Sequence, residues 1–230
     1  MKKSIVFFLA GLILAACSSQ GSIEVSGFPI EKGTTWIYTY TAYDPAPSDP
    51  EKVIQATYQV TDTVVDTETV FTYFVAHVKR DWRLINADPD WLRDLSGQPR
   101  ELWYIRDGNQ IYHSNFPIDT ESINPDQLIL DYKFPLSVRD NWCLLPDSRS
   151  GSGKIAGCKF VGRREVTDQG QFESPAGNFE NCYELMDIYN GGNIIQKFCD
   201  GAGIVYMKFD HAGTKFGFEQ TLTSYSKGTP

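Results

Sequence analysis

The sequence has few residues that could bind a metal ion. It contains three histidines, His77, His113 and His211, and none of its five cysteines stands in a Cys-x-x-Cys pair. Structural zinc sites are built from closely spaced cysteines and histidines. The sequence therefore predicts no metal site and no cofactor. His77 and His113 are expected on strand faces and His211 in a turn, rather than as catalytic acids or bases.

Motifs for nucleophilic catalysis and phosphate binding are also absent. There is no Gly-x-Ser-x-Gly motif, which would position the serine of an α/β-hydrolase. The GSGK stretch, Gly151 to Lys154, lacks the first glycine of a P-loop and is interpreted as a flexible loop. Glu165 and Asp168 could form a glycosidase pair only if the fold brought them together, and solvation is the favoured role. No catalytic residue is predicted.

Positive charge is scarce. The chain has 21 Lys and Arg against 29 Asp and Glu, which gives a formal net charge of −8. Nucleic acids and anionic membrane surfaces attract proteins through basic patches. The composition therefore argues against a nucleic-acid partner and against direct adhesion to an anionic membrane.

The N-terminal apolar run is too short to cross a bilayer. Ile5 to Leu14 follows Lys2 and Lys3 and carries no charge. A transmembrane helix needs roughly 20 apolar residues. A short positive segment followed by a short apolar run is typical of a signal peptide.

The end of this run, Leu14-Ala15-Ala16-Cys17, resembles the lipobox of bacterial lipoproteins. In that family the cysteine thiol is alkylated with diacylglycerol, and a signal peptidase cuts just before it. The resemblance implies that residues 1–16 are removed and that Cys17 carries a diacylglycerol and palmitate anchor. Residues 17–27 then form a flexible tether. The anchor implies the outer membrane in a diderm host, and otherwise the outer face of the plasma membrane.

Four cysteines remain after Cys17: Cys143, Cys158, Cys182 and Cys199. An even number in an exported chain indicates two disulfides, for which three connectivities are open. A hairpin that turns at Gly191-Gly192 would place Cys182 diagonally beside Cys199, and one bulge would bring them into bonding range. We therefore prefer the pairs Cys182–Cys199 and Cys143–Cys158.

Alternation of apolar and polar residues predicts strands through most of the chain. A strand is expected over 34–43, a Pro/Asp-rich loop over 44–52, and a hairpin from the runs 53–65 and 70–80. A second hairpin is expected to turn at Asp107-Gly108.

Two short helical segments interrupt this pattern. Asp88 before Pro89 predicts the start of a short helix, and another helical turn is expected within 118–131. No linker divides the chain, so one domain is predicted over 28–226. The predicted fold is mainly β: a single curved antiparallel sheet or open half-barrel with one or two short helices.

One spacing occurs twice in the sequence. FPIEKGTTW, residues 28–36, and FPLSVRDNW, residues 134–142, both place Pro after Phe and Trp eight residues after Phe. We interpret them as two similar strand entries in which the Trp anchors the core. No other part of the two halves aligns convincingly.

Aromatic residues, 13% of the chain, provide the main indication of a ligand. They could line the concave face of a curved sheet, and the candidates are Trp36, Tyr38, Tyr40, Tyr73 and Trp103 (with Phe74 and Tyr104 beside them). Such a surface binds acyl chains if it is dry, or sugars if the rings are exposed. The alternative is that these rings simply fill the core.

The stretches FPIEKGTTWIY, ESPAGNFENCYEL and FCDGAGIVYMKFD resemble a group of uncharacterised all-β bacterial envelope lipoproteins. That group is faintly similar in strand order to half-barrel lipoprotein carriers, which hold acyl chains. The resemblance implies a lipid-anchored, non-enzymatic envelope protein that binds a hydrophobic ligand or an envelope partner protein. An envelope hydrolase acting on glycans and a structural subunit of an envelope complex are the alternatives.

Overall fold

The computed structural model describes residues 27–92, 95, 100–118, 123–145, 154–155, 158–159, 162–189 and 191–229. Cys17, the signal peptide and nearly all of the tether therefore lie outside the described residues. Within these ranges, no helix has the length and apolar character needed to cross a membrane.

The described residues contain fourteen strands and one 3₁₀ helix. In chain order they are β1 Thr35–Ala46, β2 Asp49–Val70, β3 Tyr73–Ala87, β4 Glu101–Asp107, β5 Gln110–Ser114, the 3₁₀ helix Pro125–Gln127, β6 Ile129–Lys133, β7 Asn141–Cys143, β8 Lys154–Ile155, β9 Cys158–Lys159, β10 Arg163–Ser174, β11 Gly177–Tyr189, β12 Gly192–Cys199, β13 Gly203–His211 and β14 Gly217–Ser226.

Twelve of these strands form one antiparallel sheet in the order β6-β5-β4-β3-β2-β1-β14-β13-β12-β11-β10-β7, and β8 pairs with β9 alone. The two edge strands of the large sheet approach each other. Leu130 of β6 donates its N–H to the carbonyl of Leu144, which follows β7, at 2.8 Å, and Trp142 Nε1 donates to the Leu130 carbonyl at 3.1 Å. The predicted curved antiparallel sheet is confirmed, but it curls further than a half-barrel, into a nearly closed barrel.

The first hairpins are longer than predicted. The expected loop over 44–52 is wrong, because Pro45 still pairs with Val53, and Ala46 is buried and pairs with Asp49. Only residues 47–48 form a turn between β1 and β2. The β2–β3 turn likewise lies at 71–72 rather than at 66–69, and Phe71 adopts a positive φ of 55° there. The hairpin that joins β4 to β5 is confirmed.

The predicted helix at Asp88 is not found over 88–92, and residues 93–94 and 96–99 lie outside the description. Asp88 instead extends the β2–β3 ladder: its N–H donates to the Gln55 carbonyl at 2.9 Å, and its carboxylate accepts from the Gln55 N–H at 2.7 Å. The helical turn expected within 118–131 is present as the 3₁₀ helix Pro125–Gln127.

The two Phe-Pro…Trp stretches share the backbone geometry of the turn before the Trp, although the Phe134–Pro135 peptide bond is cis and the Phe28–Pro29 bond is not. Gly33 and Arg139, which occupy the same place in the two stretches, have φ values of 88° and 80°. The Gly33 N–H donates to the Val64 carbonyl at 2.8 Å, and the Arg139 N–H donates to the Val166 carbonyl at 2.8 Å. In turn, the Val64 N–H donates to the Thr34 carbonyl and the Val166 N–H donates to the Asp140 carbonyl, both at 2.9 Å. The stretches are thus equivalent structural elements.

This equivalence extends to the whole sheet. β1 to β6 form one six-stranded half, β7 with β10 to β14 form the other, and the sheet order runs through each half in the same sequence. β2 corresponds to β10 and β3 to β11. The sequence suggested only two similar strand entries, whereas the structure contains two copies of a six-stranded arrangement that face each other across the barrel.

Both preferred disulfides are present, Cys143–Cys158 and Cys182–Cys199. The predicted register of the second was wrong by two residues, because Tyr189 pairs with Gly192 and the turn comes one residue earlier than assumed. Cys182 therefore lies directly opposite Cys199, and no bulge is needed to join them.

Candidate functional site

A cavity of about 340 Å³ lies inside the barrel and is lined by side chains from both halves. One end of this cavity is filled by aromatic rings. Phe28 and Phe134, the first residues of the two equivalent stretches, lie 6.1 Å and 5.5 Å from the ring of Phe198, and Tyr132 lies 4.6 Å from it. We call this the closed end.

The closed end depends on a glycine at the start of β13. Gly203 has a φ of 84°, and a Cβ placed on it would come within 3.2 Å of the Phe28 ring. A side chain there would be strained and crowded. Beside Gly203, Trp36 Nε1 donates to the Ala202 carbonyl at 2.7 Å and fixes the start of β1 to the same corner.

The cavity opens at the opposite end, which carries the β1–β2 and β13–β14 turns. Four of its lining residues there retain solvent exposure: Asn115, Ile129, Tyr189 and Ile194. We call this the open end.

One wall of the cavity is aromatic. The Tyr40 ring lies 5.0 Å from Trp82 and 5.1 Å from Phe218. Ile204 and Met207 continue this apolar wall. Strand alternation explains the arrangement, because Trp36, Tyr38 and Tyr40 all point to the inner face of β1.

Of the aromatic residues proposed from the sequence, Trp36, Tyr38, Tyr40 and Tyr104 line the cavity, whereas Tyr73 and Trp103 do not. Trp103 alternates with Leu102 and Tyr104 along β4 and so lies on the outer face, where it stacks on His77 at 4.8 Å. Tyr73 lies at the start of β3, beside the β2–β3 turn. The sequence-based choice counted aromatic residues without fixing strand parity, and these two residues lie outside the lining of this cavity.

The opposite wall carries a buried ion pair, Arg164–Asp187. The Arg164 Nε and Nη2 groups donate to the two Asp187 oxygens at 2.5 Å and 2.7 Å. Asp187 also accepts from Gln196 at 3.1 Å and from the Tyr189 hydroxyl at 3.3 Å. Burial alone would lower the pKa of Arg164, but the charge and hydrogen bonds of Asp187 outweigh it and raise the pKa.

A second ion pair, Asp62–Arg80, joins β2 to β3 at the cavity. The Arg80 Nε and Nη2 groups donate to the two Asp62 oxygens at 2.7 Å and 2.6 Å. The Arg80 guanidinium also lies 5.9 Å from the centre of the Trp82 ring. As with Arg164, burial opposes the charged form, and the neighbouring carboxylate nevertheless raises the pKa of Arg80.

A third polar group links the two halves. Asp131 of β6 contacts His113 Nδ1 at 2.7 Å and lies 3.6 Å from Arg164 Nη1, and Arg164 also donates to the Asp131 carbonyl at 2.6 Å. Arg164 therefore holds the edge strand β6 beside the second half of the barrel. The sequence indicated His113 as a strand-face residue, and the face it occupies is the cavity wall.

Two further side chains face the cavity with unused hydrogen-bonding capacity. The Tyr104 hydroxyl and the Gln220 amide make no hydrogen bond within the part of the chain that the structure describes. Gln220 is only 6% exposed. Burial, together with the nearby Asp131 and Asp62, raises the pKa of Tyr104, so its hydroxyl stays neutral and can donate or accept.

Sequence reasoning missed the charged residues of this site, although a signal was present. Asp62 lies between Val60 and Val64 at the inward spacing of β2, and Arg164 lies two residues before Val166 in the same way. A charged residue on the buried, apolar face of a strand is expected only where a residue of opposite charge pairs with it. The partners, Arg80 and Asp187, could not be named without the strand register.

No protein-family model matches the chain, and no curated protein is significantly similar to it in sequence. Among solved structures, the chain is similar to a "putative exported protein with YmcC-like fold" from Bacteroides fragilis NCTC 9343. The two share 13% identity, with a TM-score of 0.48, over 88% of this chain and 99% of the other. A "putative lipoprotein" from Parabacteroides distasonis ATCC 8503 gives 12% identity and a TM-score of 0.49 over 87% and 99%. At these values the similarity carries no argument about function, which must come from the residues themselves.

Proposed function

We propose that this protein is a lipid-anchored, non-enzymatic protein of the bacterial cell envelope that binds a small molecule inside its barrel. The observation that carries the proposal is the cavity of about 340 Å³, closed at one end and open at the other. Binding pockets for small molecules typically measure roughly 300–1,000 Å³ and combine apolar walls with a few polar groups. This cavity has both properties.

The ligand is amphipathic rather than purely hydrophobic. The sequence suggested an apolar concavity, but Asp62, Arg80, Asp131, Arg164 and Asp187 all contribute to the lining. A purely apolar ligand would cut these groups off from water without offering them hydrogen bonds, which is unfavourable. A ligand with one polar and one apolar side matches both walls.

The position of the N-terminus supports an arrangement in which the closed end is the end tethered to the membrane. Gly27, the first described residue, lies at the closed end, where its carbonyl accepts from the Gly201 N–H at 2.9 Å. A lipid on Cys17 would therefore tether the barrel by its closed end through ten residues, at most about 35 Å of chain. The open end would face away from the membrane, toward solutes of the envelope.

The cavity also supports ligand binding over a structural role. A structural subunit of an envelope complex would need a flat apolar patch and no pocket. Leu84, Ile85 and Leu92 are exposed near the open end, but their partner is not indicated by any contact. The enclosed cavity therefore favours ligand binding.

Native mass spectrometry of protein purified from its host tests the proposal. We expect a bound small molecule on the wild type, and we expect it to be lost when Met207→Trp fills the cavity. Tyr206→Trp is the matched control, because the neighbouring residue points to the outer face and should leave the ligand bound. A wild-type protein that carries no small molecule, or a ligand retained by both variants, would contradict the proposal.

The anchor is tested separately by Cys17→Ala. We expect this variant to remain unprocessed or to be released from the membrane fraction, with the fold unchanged. A variant that is cut normally and stays membrane-bound would show that Cys17 is not lipidated.

A second candidate function, an envelope hydrolase acting on glycans, is favoured by the 2.7 Å contact between His113 and Asp131 on the cavity wall. A histidine held by a carboxylate can act as a general base. The test is release of reducing ends from envelope glycans by the wild type and by His113→Gln. Activity that His113→Gln abolishes would establish the hydrolase and displace the binding-only proposal.

A further inference from the structure

Resting on the proposed function, we infer that the cavity selects a neutral, hydroxylated ring, that is, a sugar unit of a glycan, over a fatty acyl chain or an anion. Four properties of the described cavity support this inference: its charge balance, its unused hydrogen-bonding groups, its aromatic wall and its shape.

The charge balance disfavours anions. Both cavity arginines are already held by carboxylates, Arg80 by Asp62 and Arg164 by Asp187, and Asp131 adds a third carboxylate. No lysine or arginine without a carboxylate partner lines the described part of the cavity. A carboxylate or phosphate group would therefore enter next to three acidic residues without a cation to receive it, which costs free energy in a poorly hydrated site.

The unused hydrogen-bonding groups favour hydroxyls. Arg80 uses its Nε and Nη2 groups for Asp62, so its Nη1 group remains available as a donor. Tyr104 and Gln220 can each donate and accept, and His113 engages Asp131 only through Nδ1. Neighbouring donors and acceptors of this kind suit hydroxyl groups, because each hydroxyl donates one bond and accepts others.

The aromatic wall favours a compact ring with an apolar C–H face. Tyr40, Trp82 and Phe218 form a contiguous aromatic surface with centroid separations of 5.0 Å and 5.1 Å. The faces of aromatic rings carry a partial negative charge and attract the slightly positive C–H groups of a ligand. A sugar ring presents C–H groups on one face and hydroxyls around its edge, which matches an aromatic wall opposite a polar one.

The shape of the cavity disfavours a fatty acyl chain. A chain needs a long apolar tunnel, but Phe28, Tyr132 and Phe198 fill the closed end. The remaining volume of about 340 Å³ is bordered by ion pairs rather than by aliphatic side chains alone. A compact polar ring fits this space better than an extended apolar chain.

Saturation-transfer NMR on the delipidated protein tests the ligand class. The probes are the methyl glycosides of glucose, galactose and N-acetylglucosamine, the uronates of glucose and galactose as matched anions, and decanoate as the acyl chain. We expect saturation transfer to at least one neutral glycoside, with the strongest signals on its ring C–H protons, and at least tenfold weaker binding of the uronates.

Two cavity variants and one control locate the binding. Tyr104→Phe and Gln220→Leu each remove a group that makes no hydrogen bond to the described protein, so the fold should tolerate them. Each should weaken glycoside binding roughly fivefold, the usual effect of one lost hydrogen bond. Tyr206→Phe removes a hydroxyl from the outer face and should leave binding unchanged.

The outcomes separate this inference from the proposed function. Binding of decanoate or a uronate in preference to every neutral glycoside, sensitive to Met207→Trp, would overturn the sugar inference and keep the binding function. Glycoside binding that Tyr104→Phe and Gln220→Leu do not weaken would place the sugar elsewhere and overturn the inference. If no probe binds, the sugar inference fails, and native mass spectrometry of the host-purified protein then decides whether the binding function fails with it.

Discussion

The two halves of the barrel place an Arg–Asp pair at the same position with the charges exchanged. In the first half Asp62 of β2 pairs with Arg80 of β3, and in the second Arg164 of β10 pairs with Asp187 of β11. Each pair also lies beside the tryptophan that ends a Phe-Pro…Trp stretch: Asp62 is opposite Trp36, and Arg164 is opposite Trp142. The same architecture therefore carries the same interaction with opposite polarity.

The surroundings of the two pairs differ. The side chains of Arg164 and Asp187 are 4% and 1% exposed, whereas those of Arg80 and Asp62 are 20% and 6% exposed. Asp187 has two additional donors, and Arg164 also bonds β6, so every member of the second pair is committed to the protein. The Asp62–Arg80 pair has fewer partners, and its side chains are more exposed. From this comparison we expect the second pair to stabilise the barrel more than the first.

Breaking the second pair should have the largest effect. Asp187→Ala leaves the Arg164 guanidinium buried without its carboxylate and removes the acceptor of Gln196 and Tyr189. Removing one partner of a buried ion pair typically costs about 3–5 kcal/mol. We expect a loss of this size in the free energy of unfolding, measured by urea denaturation.

Replacing both members of this pair provides the control. Arg164→Met with Asp187→Leu removes the unpaired charge but still takes away the hydrogen bonds that this pair makes to the Gln196 Nε2 group, the Tyr189 hydroxyl and the β6 carbonyl. Gln196 keeps the hydrogen bond from Tyr132 and loses only the one that its Nε2 group donates, so we expect partial recovery of stability. Full recovery would show that the network around the second pair contributes little, and the distinction between the halves would disappear.

Breaking the first pair should cost less. Asp62→Ala leaves Arg80 next to the cavity, where water can solvate it, so we expect a loss of about 1–3 kcal/mol in the free energy of unfolding. The double variant Arg80→Met with Asp62→Leu should recover most of this loss, since the pair has few other partners. Urea denaturation of both variants beside the Asp187 series measures the difference. Equal losses for Asp62→Ala and Asp187→Ala would contradict the comparison.

Much of the architecture follows from local pattern. Alternation in β1 predicted its inward row, and the spacing of Cys182 and Cys199 predicted their disulfide. Local pattern could not predict the closure of the barrel, because the contact between Leu130 and Leu144 depends on how twist accumulates over all twelve strands. It also could not separate Trp103 from Tyr104 as lining residues without the parity of β4.

For a related reason, the similarity of the two halves could be recognised only in part from the sequence. The shared spacing of Phe, Pro and Trp was visible, but Arg139 at the place of Gly33 hid the common positive φ. The exchange of Asp62–Arg80 for Arg164–Asp187 hid the common ion pair in the same way. Sequence comparison scores these substitutions as unlike, although each preserves the geometry or the interaction.

The tyrosines beside the two pairs should share an alkaline decline in stability and separate the pairs at neutral pH. Burial, with a further contribution from nearby carboxylates, raises the pKa of both Tyr104 and Tyr132 above the usual value near 10.0. The contribution of these tyrosines to the free energy of unfolding is therefore fully present below about pH 10. Above that pH it falls by at most about 1.4 kcal/mol per pH unit for each tyrosine, because the tyrosines ionise in the unfolded chain before they do so in the fold.

Tyr104→Phe should leave stability at neutral pH unchanged and flatten this alkaline decline. Tyr132→Phe should flatten it too but cost about 1 kcal/mol at neutral pH, because Tyr132 donates to Gln196 at 3.3 Å in the second network. Urea denaturation at neutral and alkaline pH measures both. An unchanged alkaline slope in both variants would show that these tyrosines do not stay protonated in the fold.

The smallest expected difference lies on the outer face. Glu184 and Lys197 pair at 2.5 Å across β11 and β12, and the equivalent positions in the first half hold the stacked rings of His77 and Trp103. The hydrogen bond from Lys197 lowers the pKa of Glu184, so its stabilising contribution is present above the unfolded pKa, about 4.3, and is lost as the pH falls below it.

Lys197→Met should therefore cost about 0.5 kcal/mol at neutral pH and make the acid side of the stability profile shallower. Trp103→Leu, the matched change in the first half, removes the ring stack without removing a charge that interacts with a carboxylate. We expect the loss in the free energy of unfolding for Trp103→Leu to be the same at every pH from neutral down to below 4. Urea denaturation across this range measures it. The prediction fails if stability depends less on acid pH in Trp103→Leu than in the wild type, or if this dependence is unchanged in Lys197→Met. Either result would show that the outer-face pairs of the two halves do not differ in the way proposed.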